Sequence, residues 1–304
     1  MALPAPGETS DGRPVDPRAL RRVAERLQRQ PQPPWLHGEV ARRMAERLGI
    51  VRNQPAVVVD WGAHLGASSS LLRSAYPRAR VVAVESGPAP IGVRSDQRRR
   101  WWSLGQRGAA RPDTLLEGDV SEGLAGLLWA NMVLHGRADP LVQFQAWHRC
   151  LMVDGFLMFS TFGPGTLPEL RALYRRHGWG EAMAPLVDMH DLGDMLVQAG
   201  FADPVMDQET VTLTWPDAVA ALAELRGLGG NASRARHAGL RTPRWRDSLV
   251  RALQPGEAGS GLPVRLSFEV VYGHAFKAAP KVRLEAETRV SVQDMQRMIR
   301  RTRR

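Results

Sequence analysis

Short apolar runs alternate with stretches of helical spacing along most of this chain. Five of the runs are candidate strands, and the first of them is typical of a parallel strand that is covered on both faces. They lie at 56–61, 79–85, 115–117, 127–134 and 155–162. Strands that alternate with helices of about 10–15 residues are typical of an α/β fold. We therefore predict a doubly wound, mostly parallel sheet with helices on both faces.

The spacing of apolar residues also predicts the helices. Two of them, at 17–29 and 37–49, precede the first strand and are separated by a proline-rich break. Asp139 followed by Pro140 is typical of a helix start, and this helix is predicted to run to about residue 152. Further helices are predicted at 66–76, 167–177 and 192–199, and further strands at 210–215 and 266–275.

These elements divide the chain into three parts. Residues 1–50 form an N-terminal helical lid segment, and residues 51–277 form the α/β domain. That domain carries a late, mostly helical insertion at about 216–263, which is predicted to act as a second part of the lid. Residues 278–304 form a charged C-terminal tail, with a predicted amphipathic helix at 291–301.

The composition excludes several classes of protein. Hydrophobic residues make up 43% of the chain and charged residues 24%, which excludes disorder along its whole length. No apolar run approaches the roughly 18 residues of a membrane-spanning helix. Cys150 is the only cysteine, so an internal disulfide and a cysteine-based zinc site are excluded. A reducing cytoplasm is the predicted location.

The net charge of +10 favours an acidic partner. Nucleic acid, an anionic membrane surface and an acidic protein all fit this charge. The densest basic runs lie at 94–111 and 297–304. Trp101 and Trp102, within the first run, fit either a nucleic-acid stacking patch or an amphipathic helix packed on the sheet.

A glycine-bearing turn follows the first predicted strand, in the sequence Asp60-Trp61-Gly62-Ala63-His64-Leu65-Gly66. Ligands of parallel sheets bind at the carboxyl ends of the strands, where glycine lets the backbone approach them. The chain lacks the three-glycine dinucleotide fingerprint and the phosphate-binding P-loop. Glu85 ends the second strand 19 residues after Gly66, where a two-oxygen acceptor suits the hydroxyls of a ribose.

Several segments occur in the order found in class I S-adenosylmethionine-dependent methyltransferases, and the chain resembles that superfamily. The segments are 57–66, 82–85, 117–119, 131–135 and 155–162. Within the superfamily the chain is similar to the malonyl-acyl-carrier-protein O-methyltransferases of biotin synthesis. The stretches that carry this closer resemblance are 159–170 and 225–230, and the whole resemblance covers about residues 38–277.

The resemblance implies S-adenosyl-L-methionine as cofactor. The candidate cofactor-binding residues are Asp60, Gly62, Gly66, Glu85, Asp119 and Asn131. By resemblance, the glycine turn passes under the methionine part next to Asp60, and Glu85 holds the ribose. Asp119 lies near the adenine amino group, and Asn131 lines the methionyl end.

The resemblance also implies the acceptor, which is the free carboxylate of a malonyl thioester on acyl carrier protein. Arg226 would reach this carboxylate and is the candidate catalytic residue. A carboxylate is already ionised near neutral pH, so the transfer needs no general base. Acyl carrier proteins are acidic as a family, which suits a basic enzyme.

The sequence departs from the family pattern at three places. His64 stands where such turns carry glycine, and Gly126 stands near the place of the acid that usually opens the fourth strand. The N-terminal lid also lacks the tyrosine that the family often uses there. Trp35 or His37 could replace that tyrosine. Two alternatives therefore stay open: a non-catalytic or weakly active protein of this fold, and a methyltransferase for another substrate such as RNA. A methyltransferase for RNA is expected to carry an Asn-Pro-Pro-aromatic turn after the fourth strand, and this chain lacks that turn.

A cluster of acidic residues with one histidine is a weaker candidate for a metal site. It comprises Asp188, His190, Asp191 and Asp194. No second histidine lies at ligand spacing, and Asp191 is placed to cap the helix that follows. We predict no metal.

Overall fold

The computed structural model describes residues 14–50, 53–87, 113–256 and 261–279. The basic runs at 94–111 and 297–304, Trp101 with Trp102, and the tail helix at 291–301 lie outside the described residues. Within the described residues, no helix is long and apolar enough to cross a membrane.

The described strands form one seven-stranded sheet in the order β3-β2-β1-β4-β5-β7-β6. They are β1 Val57–Trp61, β2 Arg80–Glu85, β3 Asp113–Leu116, β4 Ala125–Ala130, β5 Leu151–Phe162, β6 Ala202–Trp215 and β7 Val264–Phe276. The pairs from β3 to β5 are parallel, whereas β7 runs antiparallel to both β5 and β6. The predicted doubly wound, mostly parallel sheet is confirmed.

Helices cover both faces of this sheet. They are α1 Pro17–Gln28, α2 Trp35–Glu46, α3 Ala63–Gly66, α4 Ser69–Ala75, α5 Pro140–Cys150, α6 Pro168–His177, α7 Met189–Gln198, α8 Ala218–Leu228 and α9 Pro243–Leu253. The N-terminal segment supplies α1 and α2, and the late insertion between β6 and β7 supplies α8 and α9.

The sheet separates two hydrophobic cores. On one face, Leu36, Val40 and Met44 of α2 are fully buried in a core that includes β-strand residues such as Trp129. On the other face, Phe144 and Trp147 of α5 pack edge-on against each other, with ring centroids 5.6 Å apart. All six residues of β4 are buried, since this central strand is covered on both sides.

Two predicted elements are wrong at the edge of the glycine turn. The fourth strand ends at Ala130 rather than at residue 134, and Met132 beyond it adopts a left-handed φ of 57°. The helix predicted at 66–76 begins at Ser69 as α4, and the separate short helix α3 ends at Gly66. The two helices are separated because the Gly66 carbonyl accepts hydrogen bonds from the side chains of Ser68 and Asn131, and Ala67 turns to a φ of 55°.

Two other element boundaries differ from those predicted from the sequence. The helix that begins at Pro140 stops at Cys150, and β5 starts with the next residue. Strand β6 begins at Ala202 rather than at residue 210. It is an edge strand with many exposed polar residues, so its first half has no apolar run to reveal it.

Aspartates cap several of the helices, and one of these caps was predicted correctly. Asp139 caps α5, where its carboxylate accepts hydrogen bonds from the backbone N–H groups of Leu141 and Val142. The cap of α7 is Asp188, which accepts from the N–H of His190, so the prediction that Asp191 caps this helix is wrong. Asp191 lies inside the first turn.

Removing the α5 cap should destabilise the protein measurably. We expect Asp139→Ala to lower the free energy of unfolding by about 1 kcal/mol, because two N–H groups lose their acceptor. Asp139→Asn keeps a side-chain oxygen at the cap and should lose less than half as much. Urea unfolding of the three proteins measures this, and equal losses in both variants would contradict a capping role.

Candidate functional site

The turn between β1 and α3 brings the backbone close to its neighbours. Gly62 has a φ of 73°, and a Cβ there would lie 2.7 Å from a methyl carbon of Val133. Gly62 donates its N–H to the Val84 carbonyl at 2.7 Å, which fixes the turn to β2. A residue with a side chain would therefore be both strained and crowded at position 62.

Glu85 lies at the carboxyl end of β2 and faces the turn. Its Oε1 accepts a hydrogen bond from the backbone N–H of His64 at 2.7 Å. Burial, with the nearby charge of Glu117, raises the pKa of Glu85 from its usual 4.5 to about 7.

Asp60 is a second carboxyl group at this end of the sheet, and it is fully buried. Its Oδ2 accepts a hydrogen bond from the hydroxyl of Ser69 at 3.0 Å. Its Oδ1 has no partner among the described residues. Burial, with the nearby charge of Glu85, raises the pKa of Asp60 from its usual 3.8 to about 7.

Asn131 directly follows β4 and is fully buried. Its Nδ2 donates to the carbonyl of His37 at 2.8 Å and to the carbonyl of Gly66 at 2.7 Å. Its Oδ1 accepts from the hydroxyl of Ser160 at 2.7 Å. Both N–H groups of the amide are used, so this side chain holds the lid helix α2 to the glycine turn.

His37 of α2 is buried against the same turn. Its Nδ1 donates to the Leu65 carbonyl at 2.9 Å, while its Nε2 has no partner in the described part of the chain. Burial lowers the pKa of His37 to about 4, so the ring is neutral at pH 7 and Nε2 carries a lone pair. Of the two residues suggested for the missing lid tyrosine, His37 lies at the site, whereas Trp35 is 62% exposed.

Asp119 is exposed in the short 3₁₀ turn that follows β3. Its neighbour Glu117 is held more firmly, since it accepts a hydrogen bond from Trp61 Nε1 at 3.0 Å and forms an ion pair with Arg137. Sequence reasoning used Glu117 only as part of a motif and missed Arg137. No local pattern showed that residue 137 would reach back to the end of β3.

An apolar cavity of about 470 Å³ lies under α1 and α8. Its apolar wall includes Leu20, Phe162, Leu167, Leu170, Leu222 and Leu225. The ring of His135, also in the wall, lies 6.3 Å from the ring of His37, so the cavity borders the residues that hold the turn.

Two arginines, Arg26 and Arg226, line this cavity. Nη2 of Arg26 donates to the carbonyl of Arg226 at 3.1 Å and also to the carbonyl of Gly229. Burial lowers the pKa of Arg26, and the positive charge of Arg226 lowers it further. Like charges that repel across a half-apolar cavity favour an anionic ligand there. The sequence pointed to Arg226 but missed Arg26.

The acidic cluster near α7 is not assembled as a metal site. Among the described residues, no group of three or more histidine, cysteine, aspartate and glutamate side chains is placed to hold a metal ion. His190 instead forms a 2.8 Å contact with Asp188 within one turn.

The raised pKa of Glu85 predicts a pH dependence of stability. The folded state keeps this proton between about pH 4.5 and pH 7, where the unfolded state has lost it, so stability falls as the pH rises through that window. Glu85→Gln keeps the acceptor for His64 and removes the titration. Between pH 4.5 and pH 7 the wild type should therefore lose about 3 kcal/mol of unfolding free energy that the Glu85→Gln variant does not lose. Urea unfolding at several pH values measures this difference. If the free energies of unfolding of the two proteins change equally with pH across this range, the carboxyl group is not buried in this way.

Known proteins resemble this chain in sequence. No family model matches it. It is 35% identical over 293 residues to the malonyl-acyl-carrier-protein O-methyltransferase of Nitrosospira multiformis, which covers 90% of this chain and 94% of that protein. It is also 35% identical to the protein of the same name from Laribacter hongkongensis, over 82% of this chain and 84% of that one.

The fold has solved counterparts as well. The YcgJ protein of Bacillus subtilis superposes with a TM-score of 0.52 and 10% identity, over 79% of this chain and 99% of that chain. At this identity the superposition supports the fold alone. The sequence relatives, at more than 30% identity over most of both chains, show the family: this chain belongs to the malonyl-acyl-carrier-protein O-methyltransferases.

Proposed function

We propose that the protein transfers a methyl group from S-adenosyl-L-methionine to the free carboxylate of a malonyl group carried by acyl carrier protein. The names of its relatives supply the substrate. A role in biotin synthesis and a location in the cytoplasm are parts of the same proposal. The observation that carries the proposal is the apolar cavity under α1 and α8, with two arginines in its wall.

The residues at the turn suit the proposed cofactor. Because Gly62 and Gly66 lack side chains, the turn packs closely against Val133 and Asn131, and the second oxygen of Glu85 can accept from a ribose hydroxyl. The unpartnered Oδ1 of Asp60 is a buried acceptor at the methionine end of the turn. A positively charged ligand would favour the ionised forms of both carboxyl groups. Exposed Asp119 is the proposed neighbour of the adenine.

The chain's part in the reaction is to orient the acceptor and to exclude water. S-adenosyl-L-methionine, when bound, supplies an electrophilic methyl group. A malonyl carboxylate is already the nucleophile, so no side chain has to remove a proton. The apolar wall of the cavity, from Phe162 to Leu225, strips water from the carboxylate and strengthens its attraction to the arginines.

Arg226 is the proposed partner of the malonyl carboxylate. A guanidinium can offer two parallel hydrogen bonds to a carboxylate, which fixes the direction of the oxygen that attacks. The contact weakens when the carboxylate becomes a neutral ester, which helps the product to leave. Arg26 adds a second positive charge from the lid side of the same cavity.

The outer face of α1 suits an acidic carrier protein. Arg18, Arg21 and Arg22 are exposed on this helix, which covers the cavity. Exposed arginines at the mouth of the site would guide an acidic partner towards it, and added salt would weaken this guidance.

Loss of the Glu85 carboxylate should weaken cofactor binding. We expect Glu85→Ala to raise the Kd for S-adenosylhomocysteine by roughly 10- to 150-fold, since a charged hydrogen bond contributes about 1.5–3 kcal/mol. Isothermal calorimetry measures the Kd at pH 8, where the wild-type carboxylate is ionised. If the wild type releases no heat at millimolar ligand, the alternative of a non-catalytic protein is favoured instead.

Substitution of Arg226 should reduce catalysis without affecting the cofactor. Arg226→Ala and Arg226→Lys should each lower kcat/KM for the malonyl carrier protein by at least about 10-fold, because lysine cannot form the two-pronged contact. The Kd for S-adenosylhomocysteine and the Tm should stay nearly unchanged. Near-full activity of the lysine variant would contradict the two-pronged contact, and a Tm lower by several degrees in the alanine variant would indicate a structural role.

A further inference from the structure

The histidine in the glycine turn reaches out of the turn to the lid. His64 is half-buried, and its Nε2 lies 3.0 Å from the carbonyl oxygen of Gln30. A carbonyl oxygen only accepts, so Nε2 carries the hydrogen and donates it. Gln30 lies just beyond the end of α1. The side chain at position 64 is therefore directed to the lid, and its backbone N–H alone serves Glu85.

The end of α1 also binds the carboxyl end of α8. Gln30 Nε2 donates to the carbonyl of Gly227 at 2.8 Å, one residue after Arg226. Arg26 donates to the carbonyls of Arg226 and Gly229. Carbonyl groups at the end of a helix lack partners inside the helix, so these side chains complete the hydrogen bonding of α8.

The start of α1 is tied to the same region of the chain. The N–H of Asp16 donates to the Ala232 carbonyl at 2.8 Å, and the Asp16 carboxylate forms an ion pair with Arg236 at 2.5 Å. Helix α1 and residues 226–236 are thus joined at both ends of the helix. Together they form the roof of the cavity, through Leu20, Arg26 and residues of the 226–232 segment.

We propose that His64 is a positioning residue that links the cofactor turn to the roof of the substrate cavity. This inference rests on the proposed function. The backbone N–H of His64 donates a hydrogen bond to Glu85, and its side chain donates one to the carbonyl of Gln30. The Gln30 side chain in turn donates to the carbonyl of the residue after Arg226. A glycine at position 64 would keep the first contact and lose the second. The residue that departs from the family's glycine pattern therefore connects the two halves of the site.

The proposal predicts an effect on the substrate rather than on the cofactor. His64→Ala should raise the KM for the malonyl carrier protein by about 3- to 10-fold, as expected for the loss of one hydrogen bond. The Kd for S-adenosylhomocysteine should change by less than about 2-fold, because the N–H of residue 64 is kept. His64→Gln retains a side-chain N–H donor, so its KM should lie close to the wild-type value. His190→Ala, a substitution of an exposed histidine, is the matched control.

A second variant tests whether the two contacts act in series. Gln30→Ala keeps the carbonyl that His64 reaches and removes the amide that holds Gly227. If the link is real, the double variant His64→Ala/Gln30→Ala should be no worse than the more damaging single variant. Multiplied effects on KM would overturn the proposal, and so would a His64→Ala variant that weakens cofactor binding and leaves the KM unchanged.

Hydrogen exchange tests the link without a turnover assay. The backbone amides of α1 should exchange faster in His64→Ala than in the wild type, in the presence of S-adenosylhomocysteine, whereas His190→Ala should match the wild type. Unchanged exchange in α1 would overturn the proposal. Because this readout needs no malonyl substrate, faster exchange together with no activity on the carrier protein would count against the proposed function and support the link.

Discussion

The site depends on a single buried amide. Asn131 uses both of its N–H groups and its oxygen inside the fold, and its three partners belong to α2, the glycine turn and β5. A buried amide is costly unless these hydrogen bonds are made, so the three elements are fixed relative to β4 together or not at all. The break between α3 and α4 follows from the same bond to Gly66. The shape of the turn is thus decided from outside the turn.

Charge is divided between the two halves of the site. Asp60 and Glu85 lie at the turn, where burial raises the pKa of both carboxyl groups to about 7. Arg26 and Arg226 lie across the cavity, where burial and their mutual repulsion lower the pKa of Arg26. Each group of like charges is destabilising by itself and favourable towards a ligand of opposite sign. This division suits a cationic methyl donor on one side and an anionic acceptor on the other.

The lid combines segments from distant parts of the chain. Helix α1 precedes the sheet and α8 follows β6, yet the contacts of Arg26, Gln30 and Asp16 join them into one roof. The lid touches the turn through His37 of α2 and through the carbonyl of Gln30. His64 is therefore compatible with this family of turns because its ring points to the lid.

The sequence by itself determined the sheet and the place of the turn. Buried parallel strands are recognisable because both of their faces are apolar. Gly62 is recognisable because it follows such a strand, and Glu85 because it ends one. Other features were visible only in the tertiary structure. The end of β4, the first half of edge strand β6 and the cap Asp188 were misread, and Arg26, Glu117 and Arg137 were missed as site residues. The three missed residues have partners that lie 20 to 203 residues away in the chain, so no local pattern marks them. The local spacing of apolar residues indicates which residues are buried, whereas long-range contacts in the folded chain determine which polar groups form hydrogen bonds.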